Sequence, residues 1–346
     1  MTQKINVKIF FFLSFLLAFS ACTKDEKITV EADNYKGVFI VNEGGFNKSN
    51  GSIGLYKPGT NDYFDAYKKA NNLPLGDVVQ SMSLLNNNYY IVVNNSNKIE
   101  VVNQTSFKNT GTINLTSPRY IFKVDANKAY VSHLFSNELS VVDLNSNTVV
   151  SKININHWSE HMSVVNKKVF VGTNSNKVMV VDAVNQVLVD SIVIGKGINK
   201  ILALPNSKLL VFNTGDVDWN SGAVKEKGRL SVVLADSNKI ENSIELSSGS
   251  YGGSIIYNSK TGKVYYSFGD NKIYEYTENA TPVLWLELPS GQSIYGMSLD
   301  ETNQQIYISD AGDFNAAGKV YVYDLSKKLI KTITAGIVPN GAVFNY

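Results

Sequence analysis

KAYVSHLFSNELSVVD, residues Lys128–Asp143, sets two short apolar runs on either side of a polar loop. Its first half, Lys128–Ser132, has counterparts at Gly37–Val41 (GVFIV), Tyr89–Val93, Lys168–Gly172, Leu209–Asn213, Lys263–Ser267 and Gln305–Ser309. Its second half, Leu139–Asp143 (LSVVD), returns as Ser52–Tyr56, Ile99–Asn103, Val178–Asp182, Leu230–Leu234, Ile273–Tyr276 and Val320–Asp324. The middle copies keep a nearly rigid period, with Tyr90, Tyr130, Phe170 and Leu210 each 40 residues apart. A repeat near this length, built of several short strands, is the signature of a β-propeller. The expected fold class is therefore all-β, a seven-bladed β-propeller.

Within one copy the strands are expected at Tyr120–Asp125, Lys128–Ser132, Glu138–Asp143 and Thr148–Ile155. Val, Ile and Tyr suit such strands, and the Asp-Leu-Asn-Ser-Asn run from Asp143 suits a turn, because Asp can bond the backbone two residues on. No helix is expected after the N-terminus. The last residues, Gly341–Tyr346, resemble an innermost strand such as Gln80–Leu85, and the first copy lacks one. A C-terminal strand closing the first blade would remove an exposed sheet edge. The expected domain is 37–346, and its apolar content of 44% is ample for stacked sheets.

Met1–Ala21 reads as a signal peptide, with basic Lys4 and Lys8 followed by an apolar Ile9–Phe19 too short for an ordinary membrane span. It ends at Cys22, the only cysteine, in a context resembling a bacterial lipobox, so Cys22 is the expected lipidation site and 22–36 a lipidated tether. Thr23-Lys-Asp-Glu26 looks like the tag that sends such lipoproteins to the outer face of the outer membrane. The expected location is the outer membrane, lipid-anchored at the cell surface. Formal charge falls from +2 to zero once Lys4 and Lys8 leave with the signal. A neutral chain without basic runs argues against nucleic acid as partner.

In a propeller, loops leading into each innermost strand share a face with loops joining the second and third strands. Sorted this way, the longest loops are Asn42–Gly51, Thr214–Gly228 and Asp310–Gly318, each carrying one large aromatic: Phe46, Trp219 and Phe314. The inward-leading loops add Arg119, Tyr120, His157, Trp158, His161, Tyr251 and Tyr295, and His133 falls in a short second-to-third loop. Aromatics gathered on loops of a rigid scaffold mark a binding surface. The expected ligand set is Phe46, Arg119, Tyr120, His133, His157, Trp158, Trp219, Tyr251, Tyr295 and Phe314. Trp285, in an outer strand, is expected to pack between blades.

No catalytic residue is expected: the chain has no Gly-x-Ser-x-Gly elbow and no phosphate loop. His157 and His161 lie at a strand crossing, where their spacing implies no zinc geometry. Glu43, Asp77, Asp216, Asp218, Asp310 and Asp313 read as solvated loop acids, with a channel metal as the alternative. No metal and no required cofactor are expected.

Gly37–Gly44, Asn50–Ile53, Leu75–Met82, Ile91–Val102 and Ile306–Phe314 together resemble a Bacteroidetes family of surface lipoproteins with YVTN surface-layer-type propellers, labelled by a domain of unknown function. Relatives include cobalamin-capturing lipoproteins that sit over TonB-dependent transporters. The resemblance implies a small-molecule ligand, most simply a corrinoid, and a TonB-dependent outer-membrane transporter as partner. It carries over no binding residue. The residues themselves leave three rivals open: a metal-dependent hydrolase or lactonase, a glycan-binding module, and a protein-interaction scaffold.

Overall fold

The computed structural model describes residues 35–346. The signal peptide, Cys22 and all of the tether before Tyr35 lie outside the described residues. Seven four-stranded antiparallel sheets follow one another along the chain. The third blade runs Pro118–Lys123, Lys128–His133, Glu138–Asp143 and Thr148–Asn154 from axis to rim, within two residues of the sequence expectation.

The first blade closes the ring. Its innermost strand, Pro339–Asn345, is the last in the chain and pairs antiparallel with Gly37–Asn42, Val38 facing Phe344 and Ile40 facing Ala342. The C-terminal strand thus occupies the place the sequence assigned to it.

Alternation along each strand explains the core. Successive side chains point to opposite faces, and here both faces are covered by neighbouring blades. Phe39 and Val41 join a cluster with Met82, Tyr89 and Ile91 of the second blade. Val38 and Ile40 turn the other way, onto Tyr307, Val320 and Val322 of the seventh. The second and third strands of the blades are therefore largely apolar on both faces, as the "VVD" phrases anticipated, with Glu100, Ser140 and Ser231 as buried polar exceptions. Trp285 is buried and meets Tyr265 edge-to-face at 5.0 Å, in the seam shared with the seventh blade.

Two departures from the sequence reading have local causes. A six-residue helix, Ala66–Asn71, follows the first blade: Asp65 caps it by accepting from the Lys68 amide, while Ala66, Tyr67 and Ala70 are buried. Tyr35, assigned to the tether, stacks on Phe107 at 5.3 Å, and its carbonyl accepts from Asn345 Nδ2.

The turns behave as expected. Asp143 Oδ1 accepts from the amides of Asn145 and Ser146, and Asp182 Oδ1 from those of Val184 and Asn185. These bonds lower both carboxyl pKa values. Among the described residues no helix is long and apolar enough to cross a membrane.

Candidate functional site

The innermost strands surround a cavity of about 790 Å³ on the axis, within the range of small-ligand sites. Four of these strands are irregular at the same end. The register shifts between Val79 and Ser81, Pro118 and Ile121, Ser159 and Met162, and Ile198 and Lys200. The closing strand skips Asn340 in the same way. A bulge re-aims the side chains it carries. Those freed here are Gln80, Arg119, Tyr120, Glu160, His161, Asn199 and Asn340, and all but Glu160 line the cavity. In the sixth and seventh blades part of the wall is backbone, through Gly252, Gly253 and Gly296. A Cβ at Gly296 would overlap the Asn340 carbonyl.

One side of the cavity is a closed polar network. Arg119 Nε donates to Glu160 at 2.8 Å, and its Nη1 donates to Gln80. Glu43 accepts from Tyr295 Oη at 2.9 Å and from Asn340 Nδ2 at 2.9 Å. Burial pushes the Glu43 carboxyl up, more than these bonds and Arg119 pull it down. Burial works against the Arg119 charge, but Glu160 and Glu43 outweigh it and raise its pKa. Tyr120, enclosed beside them, is pushed up to about 12 by burial.

Above this cavity stand three exposed edge-to-face aromatic pairs. Trp219 meets Tyr251 at 4.3 Å, Phe135 meets Trp158 at 4.9 Å, and Phe314 meets Tyr295 at 5.4 Å. Trp219 is 78% exposed, although its ring already has a partner. Phe135 and Phe314 sit at φ 63°, a left-handed conformation that bulky side chains rarely adopt. The Trp219 loop is not irregular: the strands Lys208–Val217 and Val224–Leu234 extend it as a hairpin. Its tip is held by Lys225–Asp218 and its flank by Lys196–Asp216, both at 2.7 Å.

Of the expected ligand residues, Arg119, Tyr120, Tyr251, Tyr295 and Phe314 line the cavity together. Trp158 and Trp219 are on the rim. Phe46 is exposed on its loop without a ring contact among the described residues, and His157 is half-buried away from the cavity. His133 is a correction. It is 3% exposed, with Nδ1 donating to the Thr116 carbonyl and Nε2 accepting from Ser140, so nothing is left for a ligand.

The loop acids also differ from the solvated reading. Asp77 and Asp310 are buried, Asp310 accepting from Ser293, Tyr321 and the Gly312 amide. No cluster of three His, Cys, Asp or Glu suited to a metal occurs among the described residues. Phe135, Gln80, Asn340 and Lys200 escaped the sequence reading. Three of the cavity positions, Gln80, Tyr120 and Lys200, fall on the 40-residue period and were within reach of it.

Burial lowers the pKa of His133, and that of His161 much further. Their unfolded value lies near 6.5, so the unfolded chain takes up protons first as pH falls. Their stabilising contribution is complete above about pH 6.5 and is lost as pH drops from there through the folded values. His161→Asn, which keeps an acceptor near the Ile201 amide, is expected to flatten the stability loss between pH 7 and 5. The change is up to about 1.4 kcal/mol per pH unit, read from urea midpoints, and an unchanged slope would refute it.

The fold has wide company. A quinoprotein alcohol dehydrogenase-like protein from Bacteroides thetaiotaomicron is similar with a TM-score of 0.69 and 15% identity, covering 90% of this chain and 79% of its own. Hydrazine synthase from Kuenenia stuttgartiensis is similar at 0.63 and 14%, covering 75% and 87%. A dihydro-heme d1 dehydrogenase in complex with DHE gives 0.58 and 11%, covering 91% and 76%. At such identities the likeness speaks for the fold alone. No curated protein sequence matches the chain. The profile of one family spans residues 36–345, and the chain belongs to it: DUF5074, a domain of unknown function.

Proposed function

We propose that this propeller binds a broad, flat ligand across its aromatic rim and holds it without chemistry, and that the ligand is a corrinoid. The observation that carries the reading is the set of three exposed aromatic pairs around a polar cavity. Large apolar rings held by partners lose little freedom on binding and supply most of the contact area. A corrinoid has apolar edges for such rings and a fringe of amides, which the Asn and Gln side chains and backbone of the inner wall can pair. Asn42 and Asn94 are not among those partners: both are buried, with their amides given to backbone carbonyls. Arg119 and Glu43 favour binding over catalysis, since both are already held by fixed neighbours, Glu160 and Gln80 for the first, Tyr295 and Asn340 for the second.

In this proposal the lipid on Cys22 tethers the propeller at the outer membrane surface, and a TonB-dependent transporter receives the ligand. Release then requires that the transporter compete for the rim contacts or distort the loops. Calorimetric titration with cyanocobalamin is expected to give saturable heat with a Kd of about 1 μM or tighter. No heat at micromolar protein removes the corrinoid. Retention on a polysaccharide array would then transfer the rim to a glycan.

A further inference from the structure

We propose that the wall formed by the fourth and fifth blades is a site for an oxyanion, a carboxylate or phosphate group of a small ligand, held by Lys200 with His161 and Asn199 as donors. The proposal goes beyond the rim reading, because these residues lie on inner strands rather than on rim loops.

All three line the axial cavity. Lys200 has no ion pair and no hydrogen bond among the described residues, and burial alone acts on its charge, lowering its pKa. No carboxylate compensates it. Arg119, in the same cavity, has its charge answered by Glu160 and gives a further N–H to Gln80. Glu43 is held by Tyr295 and Asn340, and its charge acts on Arg119. A half-buried ammonium without counter-charge is stabilised when an anion joins it.

His161 adds a directed donor. Its Nδ1 accepts from the Ile201 amide at 3.4 Å, so in the neutral ring the proton sits on Nε2. Nε2 has no partner among the described residues. The ring is clamped edge-on by Tyr120 at 5.3 Å and Phe122 at 4.8 Å. Asn199, freed by the bulge of the same strand as Lys200, likewise gives its amide to no neighbour among the described residues. One full charge and two neutral donors line one stretch of the cavity wall, with the Lys200 charge acting on His161, and charge-assisted recognition of an oxyanion draws on such donors.

The test uses the full chain at fixed ionic strength, titrated with inorganic phosphate and with acetate against a chloride control. Either probe is expected to bind and to shift the His161 Nε2 resonance. Phosphate alone would indicate a phosphate-bearing ligand, and acetate a carboxylate. Lys200→Met is expected to weaken binding by about tenfold or more. Lys239→Met, exposed on the outermost strand of the fifth blade, Lys239–Glu245, is expected to leave it unchanged. Heats identical to chloride with an unmoved His161 resonance in the wild-type protein would overturn the proposal, whatever the folding of the variant. So would wild-type affinity in a folded Lys200→Met.

Discussion

A chain ending at Val338 is expected to yield no cooperatively folded monomer. The eight residues removed include the whole innermost strand of the first blade, whose six register partners run from Gly37↔Asn345 to Asn42↔Pro339. They also include Phe344, edge-on to Tyr307 at 5.1 Å, and Asn340, which bonds Glu43 and the Gln80 carbonyl. The Ala342 amide gives up its bond to Ser298 as well. At about 1 kcal/mol net for each lost hydrogen bond, the deficit approaches the 5–15 kcal/mol that holds a typical domain together. Gly37–Asn42 would become an edge strand, open on the side that Pro339–Asn345 covers and apolar from Val38 to Val41, a template for aggregation. Size-exclusion chromatography and thermal melting decide it: a monomeric truncated chain melting within a few degrees of the parent would show that ring closure matters little.

Replacing Arg119 is the second large effect. Its guanidinium is the counter-charge of Glu160 at 2.8 Å and acts on Glu43 across the cavity. Arg119→Met leaves Glu160 without its ion-pair partner and removes the positive charge that acts on Glu43. Removing one partner of a fully buried pair costs about 3–5 kcal/mol; this pair is partly exposed, and about 2 kcal/mol is expected. Most of it should return in Arg119→Met/Glu160→Gln, because the cost is the orphaned charge rather than the lost contact. Stability of the single variant should also recover as pH falls and Glu43, whose carboxyl burial pushes up, takes its proton. Urea unfolding of the three proteins at pH 7 and pH 5 measures all of this, and a single variant within 0.5 kcal/mol or so of the parent would contradict it.

The blades were legible because both faces of each middle strand are covered, which leaves unbroken apolar runs such as Val101–Val102 and Val141–Val142 at a fixed spacing. The site was legible only by face. Composition placed Trp158, Trp219, Tyr251, Tyr295 and Phe314 on one rim, and those five stand in the three aromatic pairs with Phe135. Phe135 lies in the same short second-to-third loop as His133 but was not among the expected ligand residues. His133 was misjudged by one residue. The strand Lys128–His133 runs past Ser132, and that step turns a loop histidine into a buried one bonded to Thr116 and Ser140. The inner wall was hidden by the bulges, since a shifted register decides whether Tyr120 or Ile121 faces the axis, and a one-residue slip exchanges the faces. The short helix Ala66–Asn71 depends on one cap at Asp65 and two buried alanines, too little periodicity to announce itself.

The central claim is that one face, with its aromatic pairs, receives the ligand. Calorimetry of cyanocobalamin into Trp158→Ala, Trp219→Ala and Phe314→Ala, beside the parent protein, tests it most directly, because each variant removes one member of a different pair. Each is expected to bind about tenfold or more weakly, as truncated aromatic anchors do, with thermal melting unchanged for the exposed Trp219 and Phe314. Parent-like affinity in all three variants would place the ligand elsewhere on the molecule.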